Sequence, residues 1–139
     1  HECPLLIKVS PDLSPSQLED TVRVCEAFEI DGYTATNTTV HRDGLRASDD
    51  RLTQIGNGGL SGKPLHDRAV DVVRHLRGLT DKPIVGVGGV FDTQSAQDFL
   101  DAGASLVQLY SGFIYGGPSV VKRITKRITL NPASVEQTN

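Results

Sequence analysis

The sequence lacks methionine and tryptophan altogether, and only two of its 139 residues are cysteines. Because synthesis starts at methionine, we expect these residues to be part of a longer protein. Cys3 and Cys25 form no Cys-x-x-Cys pair, so they indicate neither a disulfide framework nor a zinc site and favour a reducing cytosol. The histidines also show no metal-ligand spacing, and surface or capping roles are predicted for His41, His66 and His75.

An excess of basic residues and long apolar runs are absent as well. The 14 basic and 17 acidic residues give a net charge of −3, so we expect no nucleic-acid partner. No apolar stretch approaches the roughly 20 residues that span a bilayer. With 37% hydrophobic residues, the chain has enough apolar material for one domain core, and a small molecule is the favoured ligand.

Four short apolar runs alternate with segments of helical periodicity. The runs predict strands at 5–9, 33–36, 83–87 and 106–110. Capping and proline signals predict helices that begin after Ser14, where Gln17 completes a capping box, at Pro64, after Thr93 and at Pro118. Gly78 is the predicted end of the second helix. The residues that we expect these helices to bury are Leu18, Val22, Cys25, Phe28, Leu65, Ala69, Val72, Val73, Leu76, Ala96, Phe99, Leu100, Val121, Ile124 and Ile128.

This β-α alternation predicts an α/β fold in which parallel strands are covered by helices. A complete (β/α)8 TIM barrel needs about 250 residues, so we expect residues 1–139 to form half of one. The first and fourth strands would then be exposed edges that require a partner. The polar segment 38–63 shows neither period and is predicted to be a functional lid or a disordered loop.

Glycines follow the third and fourth predicted strands, at Gly88-Gly89 and at Gly112. Loops after late strands of β/α barrels commonly hold a phosphate on main-chain N–H groups, because glycine permits a close approach. Two such loops side by side favour an anion site, although a tight strand-to-helix turn is the alternative interpretation. A Walker loop is not indicated at 57–64, because Asn57 and Pro64 replace residues that this motif requires.

Polar residues interrupt or follow the first two predicted strands. Lys8 lies within an apolar strand, where a charge is costly unless an anion meets it; a lysine that reaches solvent at the strand end is the alternative. Thr36, Asn37 and Thr38 offer amide and hydroxyl groups that match a planar polar ligand. Such residues also stabilise ordinary turns, and spacing alone does not decide between the two interpretations.

Five segments, taken together and in this order, resemble the dihydroorotate dehydrogenase family. They are LIKVSPDL at 6–13, TNTTV at 36–40, GGLSGKPL at 58–65, GVGGV at 86–90 and VQLYS at 107–111. The third segment, together with Gly116-Gly117-Pro118, is most similar to the class 2 branch, which reduces quinone and is associated with membranes. The resemblance covers almost the whole chain.

The resemblance implies an FMN-dependent TIM barrel that oxidises dihydroorotate to orotate in pyrimidine biosynthesis, with this chain as its last four β/α units. Lys8 would lie near the flavin ring, where its charge favours the anionic reduced form. Thr36 would contact the flavin, while Asn37 and Thr38 would hold dihydroorotate. The other residues expected at FMN are Ser61, Gly62, Val87, Gly88, Gly89, Leu109, Tyr110 and Ser111.

The resemblance also places the catalytic serine base and the quinone entrance upstream of His1, so no catalytic base is expected in this chain and little turnover is expected from it alone. The barrel would be completed by the missing N-terminal half or by a second copy. Quinone would reoxidise the flavin, at the cytoplasmic side of a membrane or at the mitochondrial inner membrane. Another phosphate- or FMN-binding barrel enzyme and a non-catalytic half-barrel remain as alternatives.

Overall fold

The computed structural model describes residues 3–129, in which strands and helices alternate as the sequence predicts. The strands are β1 (Leu6–Val9), β2 (Gly32–Ala35), β3 (Ile84–Val87) and β4 (Leu106–Gln108). The helices are α1 (Pro15–Ala27), α2 (Asp49–Ile55), α3 (His66–Arg77), α4 (Thr93–Asp101), α5 (Ser111–Gly116) and α6 (Pro118–Thr125), with a 3-10 turn at Lys63–Leu65.

The strands form one parallel sheet in the order β1-β2-β3-β4. Tyr33 pairs with Ile7 on one side and with Ile84 on the other, and Val85 pairs with Leu106. Strands that follow one another in chain order, each crossing through helices, are arranged as in a (β/α)8 barrel, whereas an open doubly wound sheet reverses its order. The predicted fold class is confirmed, and β1 and β4 are the edges of the described sheet.

Helix α1 begins at the predicted capping box. The Ser14 hydroxyl accepts from the Gln17 N–H, and the Gln17 side chain accepts from the Ser14 N–H at 2.9 Å. Leu18 and Val22 are buried as expected. The expectation for Phe28 is wrong, because this residue follows the last helical turn, where periodicity no longer sets its direction, and is 77% exposed.

The starts of α3 and α4 differ slightly from the prediction. Pro64 lies in the 3-10 turn, and the α-helix follows from His66 to the predicted end at Gly78. Helix α4 is capped by Asp92 and not by Thr93, since the Asp92 carboxylate accepts from the Ser95 N–H at 2.9 Å. The hydrogen bonds from Ser95 lower the pKa of Asp92. Aspartate and threonine are both common caps, so the sequence alone does not separate adjacent candidates.

Two short helices lie outside the predicted elements. Ser48 caps α2 within the segment 38–63, and none of the α2 residues is buried, so the helix carries no apolar stripe. Helix α5 follows Tyr110 directly. In α6, Val120 and Ile124 are buried, whereas Val121, for which burial is predicted, is 40% exposed.

The core lies between the sheet and helices α1, α3, α4 and α6. Phe99 of α4 packs directly on Gly86 of β3, where a Cβ would come within 2.5 Å of the phenyl ring. The largest fully buried side chains are Tyr33, Phe99, Leu76, Ile84, Val73 and Val120. Among residues 3–129, no helix is long and apolar enough to cross a membrane.

Candidate functional site

A cavity of about 260 Å³ opens at the carboxyl ends of the strands. This is the edge of the sheet at which β/α barrels bind their ligands. The lining residues come from all four strand ends and from the segment before α3. They are Lys8, Thr36, Asn37, Thr38, Ser61, Gly62, Leu65, Val87, Gly88, Gly89, Val90, Gln108, Tyr110 and Ser111.

The structure brings eleven of the twelve residues predicted for flavin and substrate into this one lining. Leu109 is the exception. Its side chain packs against the hydrophobic core, because it points to the opposite side of the chain from Gln108 and Tyr110. The common location of the other eleven is a finding, while their individual roles stay predictions.

The segment after β2 is held by main-chain bonds to the strands on both sides. The Thr36 N–H donates to the Val87 carbonyl and the Asn37 N–H donates to the Val9 carbonyl, both at 2.8 Å. The side-chain oxygen of Asn37 accepts from the Thr38 N–H at 2.9 Å. Within residues 3–129 the NH2 group of Asn37 donates to no oxygen, so it is available as a donor to a ligand.

The segment 38–63 returns to the cavity. Thr39 and Leu60 form an antiparallel bridge, with N–H to carbonyl distances of 3.1 and 2.7 Å. This bridge brings the following residue, Ser61, to the end of β4, where its hydroxyl lies 3.1 Å from that of Ser111. The segment is therefore a folded loop that supplies one wall of the site.

Asp12 fixes the start of this loop. Its carboxylate accepts from the Thr39 hydroxyl at 2.6 Å and from the Val40 N–H at 2.9 Å, and the Arg68 guanidinium of α3 lies 3.3 Å away. Burial raises the pKa of Asp12, but these hydrogen bonds and the charges of His41 and Arg68 outweigh it, and the pKa lies below its ordinary value of 3.8. The carboxylate is thus held ionised beside the segment that carries Asn37 and Thr38.

The two glycine-bearing strand ends lie side by side, since Val87 pairs with Gln108. Outside the regular ladders of the described residues, the N–H groups of Gly88, Gly89 and Ser111 donate to no main-chain or side-chain oxygen. Main-chain donors away from bulk water require an acceptor, and an anion in the cavity would provide one.

Lys8 supplies the charge of the site. It is the only lysine, arginine or histidine among the lining residues, and none of them is aspartate or glutamate. Lys8 and Leu6 are exposed while Val9 is buried, so Lys8 and Leu6 share one face of β1. The cavity therefore combines one ammonium group with unused main-chain donors, a donor set that suits an anionic ligand.

Sequence reasoning missed five residues that belong to the site or support it. Leu65, Val90 and Gln108 line the cavity. Val90 and Gln108 are chain neighbours of the predicted residues Gly89 and Leu109, and Leu65 follows Gly62 by three positions. Asp12 and Arg68 lie outside the lining and support the loop that follows β2. The segment at 6–13 already contains Asp12, but its partners in α3 and after β2 depend on the course of the chain through space.

The profile of the dihydroorotate dehydrogenase family matches residues 1–131. The chain belongs to this family. A relative from Christiangramia forsetii named "Dihydroorotate dehydrogenase (quinone)" is 46% identical over 127 residues, which are 90% of this chain and 36% of the relative. Another of the same name from Salinispora arenicola is 49% identical over 87% of this chain and 36% of its own length. The predicted resemblance is confirmed.

Solved structures of the same family have the same fold. The dihydroorotate dehydrogenase of Eimeria tenella in complex with ferulenol superimposes with a TM-score of 0.80 at 32% identity, over 88% of this chain and 32% of that one. The ligand-free form superimposes with a TM-score of 0.79. The chain thus spans about a third of the length of the relatives that it matches, and it contributes part of a (β/α)8 barrel.

Proposed function

We propose that this chain is the flavin-binding, C-terminal half of the β/α barrel of an enzyme that oxidises dihydroorotate to orotate in pyrimidine biosynthesis and passes the electrons to quinone. The observation that carries the proposal is that Lys8, Asn37 and the Gly88-Gly89 turn meet in one cavity. The family and the names of the relatives supply the reaction. Because quinones are dissolved in membranes, the full-length protein would work at the cytoplasmic side of a membrane or at the mitochondrial inner membrane.

The lining residues fit FMN. The N–H groups of Gly88, Gly89 and Ser111, which have no acceptor in the described chain, would hold its phosphate. Leu65 and Val90 offer apolar surface at the same cavity. When bound, FMN supplies an acceptor for two electrons, which the amino acid side chains here cannot provide.

Asn37 and Thr38 would hold the dihydroorotate ring. The free NH2 group of Asn37 and the hydroxyl of Thr38 are donors suited to the carbonyl and carboxylate oxygens of this substrate. In the reaction, one ring carbon loses a proton and its neighbour loses a hydride. The ammonium of Lys8 would stabilise the negative charge that develops at this site, while the base that takes the proton is expected upstream of His1.

The rest of the barrel would cover the two open edges of the sheet. Leu6 on β1 and Leu106 on β4 are 37% and 63% exposed, as expected for strands that lack their neighbours. We expect the residues beyond this chain to cover them, in agreement with the greater length of the relatives. Light scattering tests this: the full-length protein should show no self-association through these edges, whereas the 139-residue chain alone should associate.

Flavin reduction in the full-length protein tests the function. Anaerobic addition of dihydroorotate should bleach the visible absorbance of the bound flavin, and a quinone should restore it. Lys8→Gln should slow the reduction by about 10²–10³-fold, the usual effect of losing one electrostatic stabiliser. Lys122→Gln, on the exposed face of α6, is the matched control and should leave the rate unchanged. A protein that takes up no FMN, or bound FMN that dihydroorotate does not reduce, would contradict the proposal.

A further inference from the structure

The first residue of α3, His66, contacts the Gly88-Gly89 turn. Its Nδ1 lies 3.1 Å from the Gly88 carbonyl oxygen, and its Nε2 lies 3.0 Å from a carboxylate oxygen of Asp98 in α4. His66 is not among the residues that line the cavity. Its side chain is only 15% exposed, so the ring is enclosed between the turn and α4.

The ring itself is held firmly. Phe99 meets it edge to face, with centroids 5.4 Å apart and an interplanar angle of 88°. The second carboxylate oxygen of Asp98 accepts from the Gln94 side chain at 2.9 Å, which fixes the acceptor as well. A carbonyl oxygen only accepts, so Nδ1 is the donor toward Gly88.

The contact determines where the next main-chain donor points. The Gly88-Gly89 peptide is trans and planar, so its carbonyl oxygen and the N–H of Gly89 point in opposite directions. The carbonyl is directed at His66, which does not line the cavity, and the N–H of Gly89 is therefore directed away from His66, while Gly89 itself lines the cavity. Because glycine has no Cβ, two adjacent glycines do little to prevent this peptide from flipping. The hydrogen bond from His66 to the Gly88 carbonyl restrains it.

We propose that His66 is a positioning residue, which, oriented by Asp98, holds the Gly88-Gly89 peptide so that the Gly89 N–H faces the phosphate of the flavin. The inference rests on the proposed function, because the phosphate is that of FMN. It assigns His66 a role at the cofactor although the residue does not line the cavity. The sequence prediction of a surface or capping role for His66 is wrong, because its side chain is enclosed and contacts Gly88 and Asp98 while α3 has no side-chain cap.

Paired affinities for FMN and riboflavin test this role in the full-length apoprotein, because riboflavin lacks the phosphate. His66→Ala should weaken FMN binding by about tenfold, the loss expected when one oriented hydrogen bond is missing, and should leave riboflavin binding within twofold. His66→Asn places an amide NH2 near the position of Nδ1 and should restore FMN affinity to within about threefold of wild type. His75→Ala, on the same helix but remote from the turn, is the matched control and should change neither affinity.

If His66→Ala folds poorly, Asp98→Ala provides a second test of the same role. It should weaken FMN binding by a few fold without affecting riboflavin, and it should add nothing to the effect of His66→Ala, because both act through one contact. Equal losses for FMN and riboflavin, a His66→Ala protein with wild-type FMN affinity, or an Asn variant as weak as the Ala variant would overturn the role of His66. A wild-type protein that binds both flavins equally would instead contradict the proposed function, and the inference with it.

Discussion

The hydroxyl oxygens of Ser61 and Ser111 lie 3.1 Å apart, although 50 positions separate the two residues in the chain. Ser61 follows the bridge between Thr39 and Leu60, and Ser111 begins α5 at the end of β4. Both residues line the cavity. The contact therefore joins the wall formed by the long loop to the wall formed by the last strand end.

Removing either hydroxyl should weaken the contact between these two walls of the cavity. We expect Ser61→Ala and Ser111→Ala each to weaken FMN binding, and the double variant to lose less than the sum, with a coupling free energy of about 0.5–1.5 kcal/mol. Isothermal titration of the full-length apoprotein with FMN measures the three changes. Strictly additive losses would mean that the two hydroxyls act independently at the cofactor.

Gly89 should not tolerate a side chain. Its φ is +63°, and a Cβ would lie 2.8 Å from the Gly62 carbonyl oxygen and 2.7 Å from the His66 Cβ. Gly89→Ala should therefore lower the free energy of unfolding by more than the ~1–2 kcal/mol of the backbone conformation alone, and it should displace the phosphate donors. Denaturant unfolding and FMN titration together measure both effects.

Gly44→Ala is the matched control for Gly89→Ala. Gly44 has a similar φ of +70°, but no atom lies within 4 Å of a Cβ built there, and the residue is not part of the cavity lining. This variant should show the ~1–2 kcal/mol conformational cost alone and normal FMN affinity. Similar FMN losses in the two variants would show that the tight packing around Gly89 is irrelevant to binding.

Asp12→Asn should weaken the attachment of the loop that follows β2. The carboxylate holds the Thr39 hydroxyl and the Val40 N–H and faces Arg68, and it is 19% exposed. At pH 7 the substitution should lower the free energy of unfolding by about 1–3 kcal/mol, the range for hydrogen bonds to a charged group. Asp43→Asn, whose side chain is 91% exposed in the same loop, should cost almost nothing.

The effect of Asp12 should depend on pH in a defined direction. Because its pKa is lower in the folded protein than the ordinary 3.8, its stabilising effect is complete above pH 3.8 and is lost as the pH falls through the folded-state value. The difference between wild type and Asp12→Asn should accordingly disappear in acid. Urea unfolding from pH 7 to pH 2.5 measures it, and a difference that grows in acid would refute the assignment.

Arg77 should be important for stability, although it forms no ion pair with a carboxylate among residues 3–129. Its Nε, Nη1 and Nη2 donate to the carbonyl oxygens of Gly103, Thr80 and Lys82 at 3.0, 3.0 and 3.1 Å. Arg77→Ala should leave three carbonyls without their donor and cost about 2–4 kcal/mol. Arg74→Ala on the same helix removes an exposed pair with Asp71 and should stay within about 0.5 kcal/mol, as thermal melting of both variants will show.

Local signals determined most of the elements. The capping box at Ser14 and the end of α3 at Gly78 depend on residues a few positions apart, and both occur where the sequence predicts them. Local signals fail where no periodicity is present. Helix α2 has no buried residue and hence no apolar stripe, and Phe28 lies just beyond the helical turn that would have directed it inward.

The sequence by itself determined the parallel β-α architecture, the family and nearly all the residues that line the cavity, because each is encoded in a short motif at the end of a strand. Only the tertiary structure decided which of these residues contact one another. The Asp12–Thr39, Ser61–Ser111 and His66–Gly88 contacts join residues that are 27, 50 and 22 positions apart. Such contacts depend on the packing of whole elements, and no local preference of the chain specifies the distance between their atoms.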